Sequence, residues 1–200
     1  GSEMCIRDRV INRCNEALSR IREGITLIDS DDITFEAFCF MNRVIFLQNS
    51  IKRFSKKNGA GISCNFLDFI NPKNEENNFG WRPFQIAFIL MNLAGIVDPK
   101  HKDRNIVDLL YFPTGGGKTE AYLGLMAFVI ANRRLRKDVM SLFERDGGVT
   151  VILRYTLRLL TTQQRDRITK MVLAAETIRR QKPQLFGSEP ISIGFWVGGG

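Results

Sequence analysis

The sequence predicts an α/β protein: an incomplete parallel P-loop sheet covered by helices, preceded by a mainly helical N-terminal region. Three observations predict it. Residues 112–119 read F-P-T-G-G-G-K-T and directly follow the apolar run of residues 106–112. A glycine-rich turn between a buried strand and a Lys-Thr helix start is a phosphate-binding arrangement. From residue 79 onward, apolar runs alternate with helical periodicities, the pattern of parallel strands joined by crossover helices. Ahead of them, apolar residues between 10 and 56 recur at helical spacing.

The elements follow in order. Residues 1–9, G-S-E-M-C-I-R-D-R, read as a non-native or disordered leader. Residues 10–23 place Val10, Cys14, Ala17, Leu18 and Ile21 at helical spacing, and Gly24 is expected to end that helix. A longer helix over 34–56 carries Phe38, Met41, Ile45 and Ile51 on one face, with Asp31 or Asp32 to cap it. The polar stretch 71–80, N-P-K-N-E-E-N-N-F-G, divides a helical region (10–78) from the second domain (79–200). In that domain W-R-P-F-Q (81–85) opens a helix reaching Gly95. Then come a strand (106–112), the glycine-rich turn, a helix (118–137), a strand (149–154), a basic helix (157–181) and a strand (191–197).

The 44% hydrophobic content can bury a core, and no run reaches the roughly 18 apolar residues of a membrane span. No secretory signal is visible, so a cytoplasmic location is expected. Cys5, Cys14, Cys39 and Cys64 lie far apart without a C-x-x-C pair, which supports neither zinc nor a disulfide framework. His101, in a polar stretch, is expected as a solvated loop residue. The net charge of +8 points to a polyanionic partner. Its excess gathers at Arg133, Arg134, Arg136 and Lys137, then at Arg154, Arg158, Arg165, Arg167 and Lys170. The predicted partner is nucleic acid, DNA ahead of RNA, and no membrane.

The chemistry of the turn assigns roles. Backbone N–H groups of Thr114, Gly115, Gly116 and Gly117 would face the phosphates, and glycine lets the backbone approach without an intervening Cβ. Lys118 would reach the β/γ-phosphates, the Thr119 hydroxyl would ligate Mg²⁺, and Glu120 completes the nucleotide-binding set. ATP and Mg²⁺ are thus the expected cofactors, with Lys118 and Thr119 as the catalytic pair. The usual first glycine of the pattern is Phe112 here.

Three further segments carry a resemblance. Arg82-Pro83-x-Gln85 precedes the turn by about thirty residues, Y-T-L-R-L-L-T-T-Q-Q (155–164) follows the second strand, and G-F-W-V-G-G-G (194–200) closes the chain. In this order they resemble the first RecA-like domain of superfamily-2 helicases over residues 81–200. P-T-G-G-G-K-T-E-A-Y-L-G and R-Y-T-L-R-L-L-T-x-Q-Q resemble more specifically the DrmA family of helicase-like subunits from the DISARM anti-phage system. The resemblance implies that Gln85 reads adenine, and that Arg154, Arg158, Gln163 and Gln164 meet a nucleic-acid backbone. Thr156 stands where the helicase segment has proline. It further implies partner subunits of a defence complex.

The D-E-x-[HDA] motif of such motors does not occur, and neither does their second motor domain. The chain is therefore expected to be an N-terminal fragment of an ATP-dependent helicase or translocase, binding ATP without hydrolysing it alone. Two alternatives stay open at this point. One is another P-loop NTPase or kinase, and the other a non-catalytic, nucleotide-stabilised interaction module.

Overall fold

Every regular element among the described residues is helical. The structure is a computed structural model, and it describes residues 5–71, 73–74, 77, 79–111, 117–136, 146–154 and 162–196. In chain order the helices are α1 (Ile6–Ser30), α2 (Asp32–Gly59), α3 (Phe66–Ile70), α4 (Pro83–Val97), α5 (Lys118–Leu135), α6 (Thr162–Gln181) and α7 (Pro183–Phe186). A 3-10 turn, Lys102–Asn105, follows α4.

Two compact units form. The first comprises Gly1–Phe35 with Trp81–Ala121, the second Glu36–Gly80 with Tyr122–Gly200. Each unit therefore takes chain from both sides of residue 78.

In the first unit α1 packs along α4. The apolar spacing that predicts a helix over 10–23 extends into a helix of 25 residues, and Gly24 does not end it. Gly24 is buried in mid-helix, where an added Cβ would lie 2.1 Å from the carbonyl oxygen of Leu90. The glycine lets two helical backbones approach closely, a demand set by a partner 66 residues away in sequence and invisible locally. Asp31 separates α1 from α2 and caps the latter. Its Oδ2 accepts the backbone N–H of Thr34 at 3.2 Å and the Thr34 hydroxyl as well. α4 starts on Pro83, whose missing N–H costs nothing at a first helical position.

The second unit buries Phe40, Met41 and Ile45 from α2. From α6 it buries Ile168, Met171, Val172 and Ala175, spaced i, i+3, i+4, i+7 as one helix face requires. Phe40 meets Phe186 of α7 with ring centroids 4.6 Å apart.

Among the described residues the predicted parallel sheet is not formed, and the α/β assignment is corrected there to an all-helical one. Residues 106–111, 149–154 and 191–196, the described parts of the three predicted strands, contain no strand and no ladder hydrogen bond among the described residues. Apart from the buried Ile191, they are not covered as core strands would be: Val107 is 95% exposed, Ile152 83% and Trp196 96%. An apolar run becomes a strand only when neighbouring backbones supply partners for its N–H and C=O groups. That pairing is non-local, and hydrophobicity alone does not specify it. Among the described residues, no helix is long and apolar enough to cross a membrane.

Candidate functional site

The nucleotide end of the sequence prediction falls in the first unit, at the start of α5. Lys118, Thr119 and Glu120 form the first turn of this 18-residue helix and are half-buried. Gly117 precedes them in the left-handed region at φ +91°. Glycine is needed there twice over, since a Cβ would be strained and would lie 2.7 Å from Gln85 Nε2. Thr114, Gly115 and Gly116 lie outside the described residues.

Gln85 sits in the first turn of α4, only 4% exposed. Its Nε2 donates to the Gly117 carbonyl at 2.8 Å, and its Oε1 accepts the Arg82 N–H at 2.9 Å. One amide group thus caps its own helix and holds the residue just ahead of Lys118. A carboxamide has two donor hydrogens and two acceptor lone pairs, so these bonds use half of its capacity. Arg82 Nη1 and Glu120 Oε2 lie 3.9 and 3.6 Å from the position a Gly117 Cβ would take. Gly117, Gln85, Arg82 and Glu120 therefore converge at the helix start.

A nucleotide's phosphates fit this end, because the first N–H groups of a long helix carry partial positive charge and Lys118 adds a full one. Magnesium commonly keeps most of its waters and takes one or two protein oxygens beside substrate phosphates, which the Thr119 hydroxyl could satisfy.

A second polar cluster lies elsewhere in this unit. Arg20 Nη1 and Nη2 donate to Asp108 Oδ1 and Oδ2 at 2.7 and 2.6 Å, a bidentate pair. Arg20 Nε stands 2.9 Å from Asp103 Oδ2, paired by charge and not by an aligned hydrogen bond. The hydrogen bonds to Asp108 hold the Arg20 guanidinium above its ordinary pKa, against the opposing effect of burial. His101 is not the solvated residue expected. Its Nε2 lies 3.0 Å from Glu23 Oε1, and its Nδ1 accepts the Asp103 N–H at 3.2 Å. Glu23, His101 and Asp103 bring their ligating atoms within 4.8 Å. A cation fits poorly there, because His101 Nδ1 is already an acceptor and Arg20 occupies Asp103.

The predicted nucleic-acid residues fall in the second unit. Arg154 is exposed, and Gln163 and Gln164 lie in the first turn of α6, exposed and half-buried respectively. Arg158 lies outside the described residues. The sheet edge expected to carry both these residues and the nucleotide is absent among the described residues. Arg154 borders a cavity of about 1030 Å³ whose walls include Met126 and Ile130 of α5, Ile168 and Val172 of α6, and Trp196.

Part of the basic cluster at the end of α5 is structural and not polyanion-facing. Arg134 is 6% exposed and donates to the carbonyls of Phe186 at 2.8 Å and Glu189 at 2.7 Å. Burial lowers its pKa from the ordinary value. Arg133 donates to Thr150 Oγ1 and the Gly147 carbonyl at 2.8 and 2.6 Å. Net charge read from sequence cannot separate guanidinium groups that bind backbone carbonyls from those that face solvent. Neither Arg20–Asp108 nor Gln85–Gly117 has a local sequence signal, since each joins residues 88 and 32 positions apart.

No protein-family model matches the chain. The chain is similar to the DISARM protein DrmA of Bacillus paralicheniformis, 53% identical over 193 residues. The match covers 96% of this chain and 16% of that protein, so the chain spans about a sixth of the length of its curated relative.

Proposed function

We propose that this chain is a nucleotide-binding segment of an ATP-dependent nucleic-acid motor, a helicase or translocase, that serves bacterial anti-phage defence. The observation that carries the reading is the start of α5. There Gly117 in the left-handed region leads straight into Lys118 and Thr119 at the N-terminus of an 18-residue helix. A glycine turn running into a Lys-Thr helix start supports the reading, because the N–H groups of a helix N-terminus favour an anion. Similarity to a DISARM protein supports the defence role and a place among partner subunits. In this reading Lys118 holds the β/γ-phosphates, Thr119 holds Mg²⁺ together with them, and Gln85 sets Gly117. Magnesium would neutralise phosphate charge and orient the phosphates when bound. Arg154, Gln163 and Gln164 contact a nucleic-acid backbone, DNA ahead of RNA, through phosphates and without reading bases. Hydrolysis is absent from this chain alone, because it has no D-E-x-[HDA] carboxylate pair.

Titration with a fluorescent ATP analogue tests the core of the proposal. Lys118→Ala removes a charged phosphate contact and should weaken binding by about 1.5–3 kcal/mol. Equal affinities would sink the nucleotide reading. For the nucleic-acid half, binding to single-stranded DNA should fall with salt at a log–log slope of roughly −0.7 per phosphate neutralised, and Arg154→Ala should flatten it by up to that amount. Failure to bind single-stranded DNA at low ionic strength would leave only the nucleotide.

A further inference from the structure

The C-terminal end of α2 gathers positive charge that its own stretch of chain does nothing to offset. Between Glu36 and Asp68 the sequence carries Arg43, Lys52, Arg53, Lys56 and Lys57 and no acidic residue. Lys52 and Lys56 stand one helical turn apart, as do Arg53 and Lys57, so the four form two adjoining rows on one side of the helix. Like charges at that spacing repel and cost helix stability. Basic residues in a last turn complement the helix dipole, which accounts for Lys56 and Lys57. That effect fades beyond the last turn and does not reach Lys52 or Arg53.

The two rows are used differently. Arg53 and Lys57 lean on α3. Arg53 Nη2 donates to Asn77 Oδ1 at 2.7 Å, and its guanidinium carbon stands 5.8 Å from the centre of the Phe69 ring. Lys57 Nζ stands 5.4 Å from the same ring. Phe69 is buried and is met edge-on by Phe54. A ring face and a carboxamide position a cation without adding an opposite charge. Asn77 Nδ2 donates in turn to the carbonyls of Asp68 and Asn71 at 2.7 and 2.6 Å, which fastens the turn bearing the exposed Lys73 to the same end. Lys52 and Lys56, in the other row, are exposed, and their ammonium groups make no ion pair or hydrogen bond among the described residues.

We propose that the end of the second unit built by α2 and α3 is a nucleic-acid contact surface, where Lys52, Lys56 and Lys73 meet backbone phosphates. A lysine is a point charge on a flexible stem, suited to phosphates whatever the base sequence. The other exposed residues in these last two turns of α2 are Ser55, Asn58 and Gly59, besides Lys57. Two of them are uncharged donors that suit phosphate oxygens, and none is an apolar side chain of the kind a helix inserts into lipid. The inference rests on the reading of nucleic acid as the partner. It adds to Arg154, Gln163 and Gln164 a set of residues that belongs to no motif.

The test measures binding of the full chain to fluorescein-labelled single-stranded DNA by anisotropy over a range of salt, with a thermal melt of every variant. Lys52→Gln with Lys56→Gln should flatten the log–log slope by up to about 0.7 per lysine, the contribution of one neutralised phosphate on a single strand. The melting temperature should hold or rise, since two repelling charges are removed. Lys52→Arg with Lys56→Arg should keep the wild-type slope. Lys100→Gln with Lys102→Gln takes the same charge from exposed lysines of the first unit and should also leave the slope unchanged.

Two results overturn the inference and spare the nucleic-acid reading. One is a wild-type slope in the Lys52/Lys56 glutamine variant while Arg154→Ala flattens it. The other is an equal flattening by the Lys100/Lys102 variant, which would mean that overall charge is sensed and not this surface. Vesicles containing phosphatidylserine supply a third. If the Lys52/Lys56 glutamine variant loses binding to them while its DNA binding is unmoved, the surface faces lipid and the inference is wrong. Should the wild type ignore single-stranded DNA at low ionic strength, the nucleic-acid reading fails and this inference falls with it.

Discussion

At the residue scale, Gly24 and Glu176 show how a single side chain, or its absence, is decided by what stands opposite. Glycine inside a helix ordinarily costs about 1 kcal/mol relative to alanine. Gly24→Ala would therefore be expected to stabilise α1 by propensity alone. The Cβ would, however, meet the Leu90 carbonyl at 2.1 Å, and that neighbour is backbone and cannot swing away. Overpacking wins, and Gly24→Ala should lose about 1–3 kcal/mol in chemical denaturation. Gly59, at the end of α2, has nothing within 4 Å of its Cβ position. Gly59→Ala should then stay within about 0.5 kcal/mol of the wild type.

Glu176 accepts from Arg179 and Arg180, and from the Ile191 N–H at 2.8 Å. Its hydrogen bond to Arg179 leads the effects that hold its carboxyl at about 2, below the ordinary 4.5, against the pull of desolvation. A carboxylate whose folded pKa is depressed stabilises the fold above its unfolded pKa. That contribution is lost as pH falls from about 4.5 toward 2, on the order of 2 kcal/mol after solvent screening. Acid titration of stability should show this loss in the wild type, and Glu176→Gln should remove most of it. An unchanged acid profile in the variant would contradict the pairing.

At the element scale, α5 and α6 share one loop. Arg134 from α5 donates to the carbonyls of Phe186 and Glu189, and Arg179 from α6 donates to those of Gly187 and Ser188 at 2.9 and 3.2 Å. Residues 186–190 thus have carbonyls satisfied by side chains where a regular element would use its own N–H groups. Gly187 sits at φ +81°, and a Cβ there would collide with the Asp146 carboxylate at 1.9 Å. Arg134→Leu removes the donors and leaves buried carbonyls unpaired, at a cost of about 2–4 kcal/mol. The control is Arg165→Leu, an exposed arginine of α6, which should change stability by less than about 0.5 kcal/mol. Equal effects of the two would mean that the loop is not fastened by Arg134.

At the scale of the whole molecule, helices supply every regular element among the described residues. Far-UV circular dichroism of the chain should accordingly show the double minimum of a helical protein, whereas a spectrum dominated by sheet would contradict this architecture. The two units also interleave in sequence, each closing on itself through long-range contacts. Chain cut at residue 78 should then give two pieces that melt without cooperativity, because neither would contain a whole unit.

Sequence alone determined the helices and the Gly-Lys-Thr start of α5. Periodicity at 3.6 residues, the Asp31 cap, Pro83 at a first position and the Gly-Lys-Thr run are all local, so their geometry follows from neighbours a few residues away. The tertiary structure alone decided the rest. Whether residues 106–111, 149–154 and 191–196 pair into a sheet depends on partners that an apolar run does not name, and among the described residues none pair. Whether Gly24 ends a helix or admits another depends on Leu90, and whether Arg134 faces solvent or backbone depends on residues 186–190. Gln85 carries a sequence expectation for adenine, yet its bond to Gly117 exists only because α4 is folded beside the start of α5. Local rules fix what each segment can be, and contacts between residues far apart in the chain select which of those forms has its polar groups satisfied and its apolar surface covered.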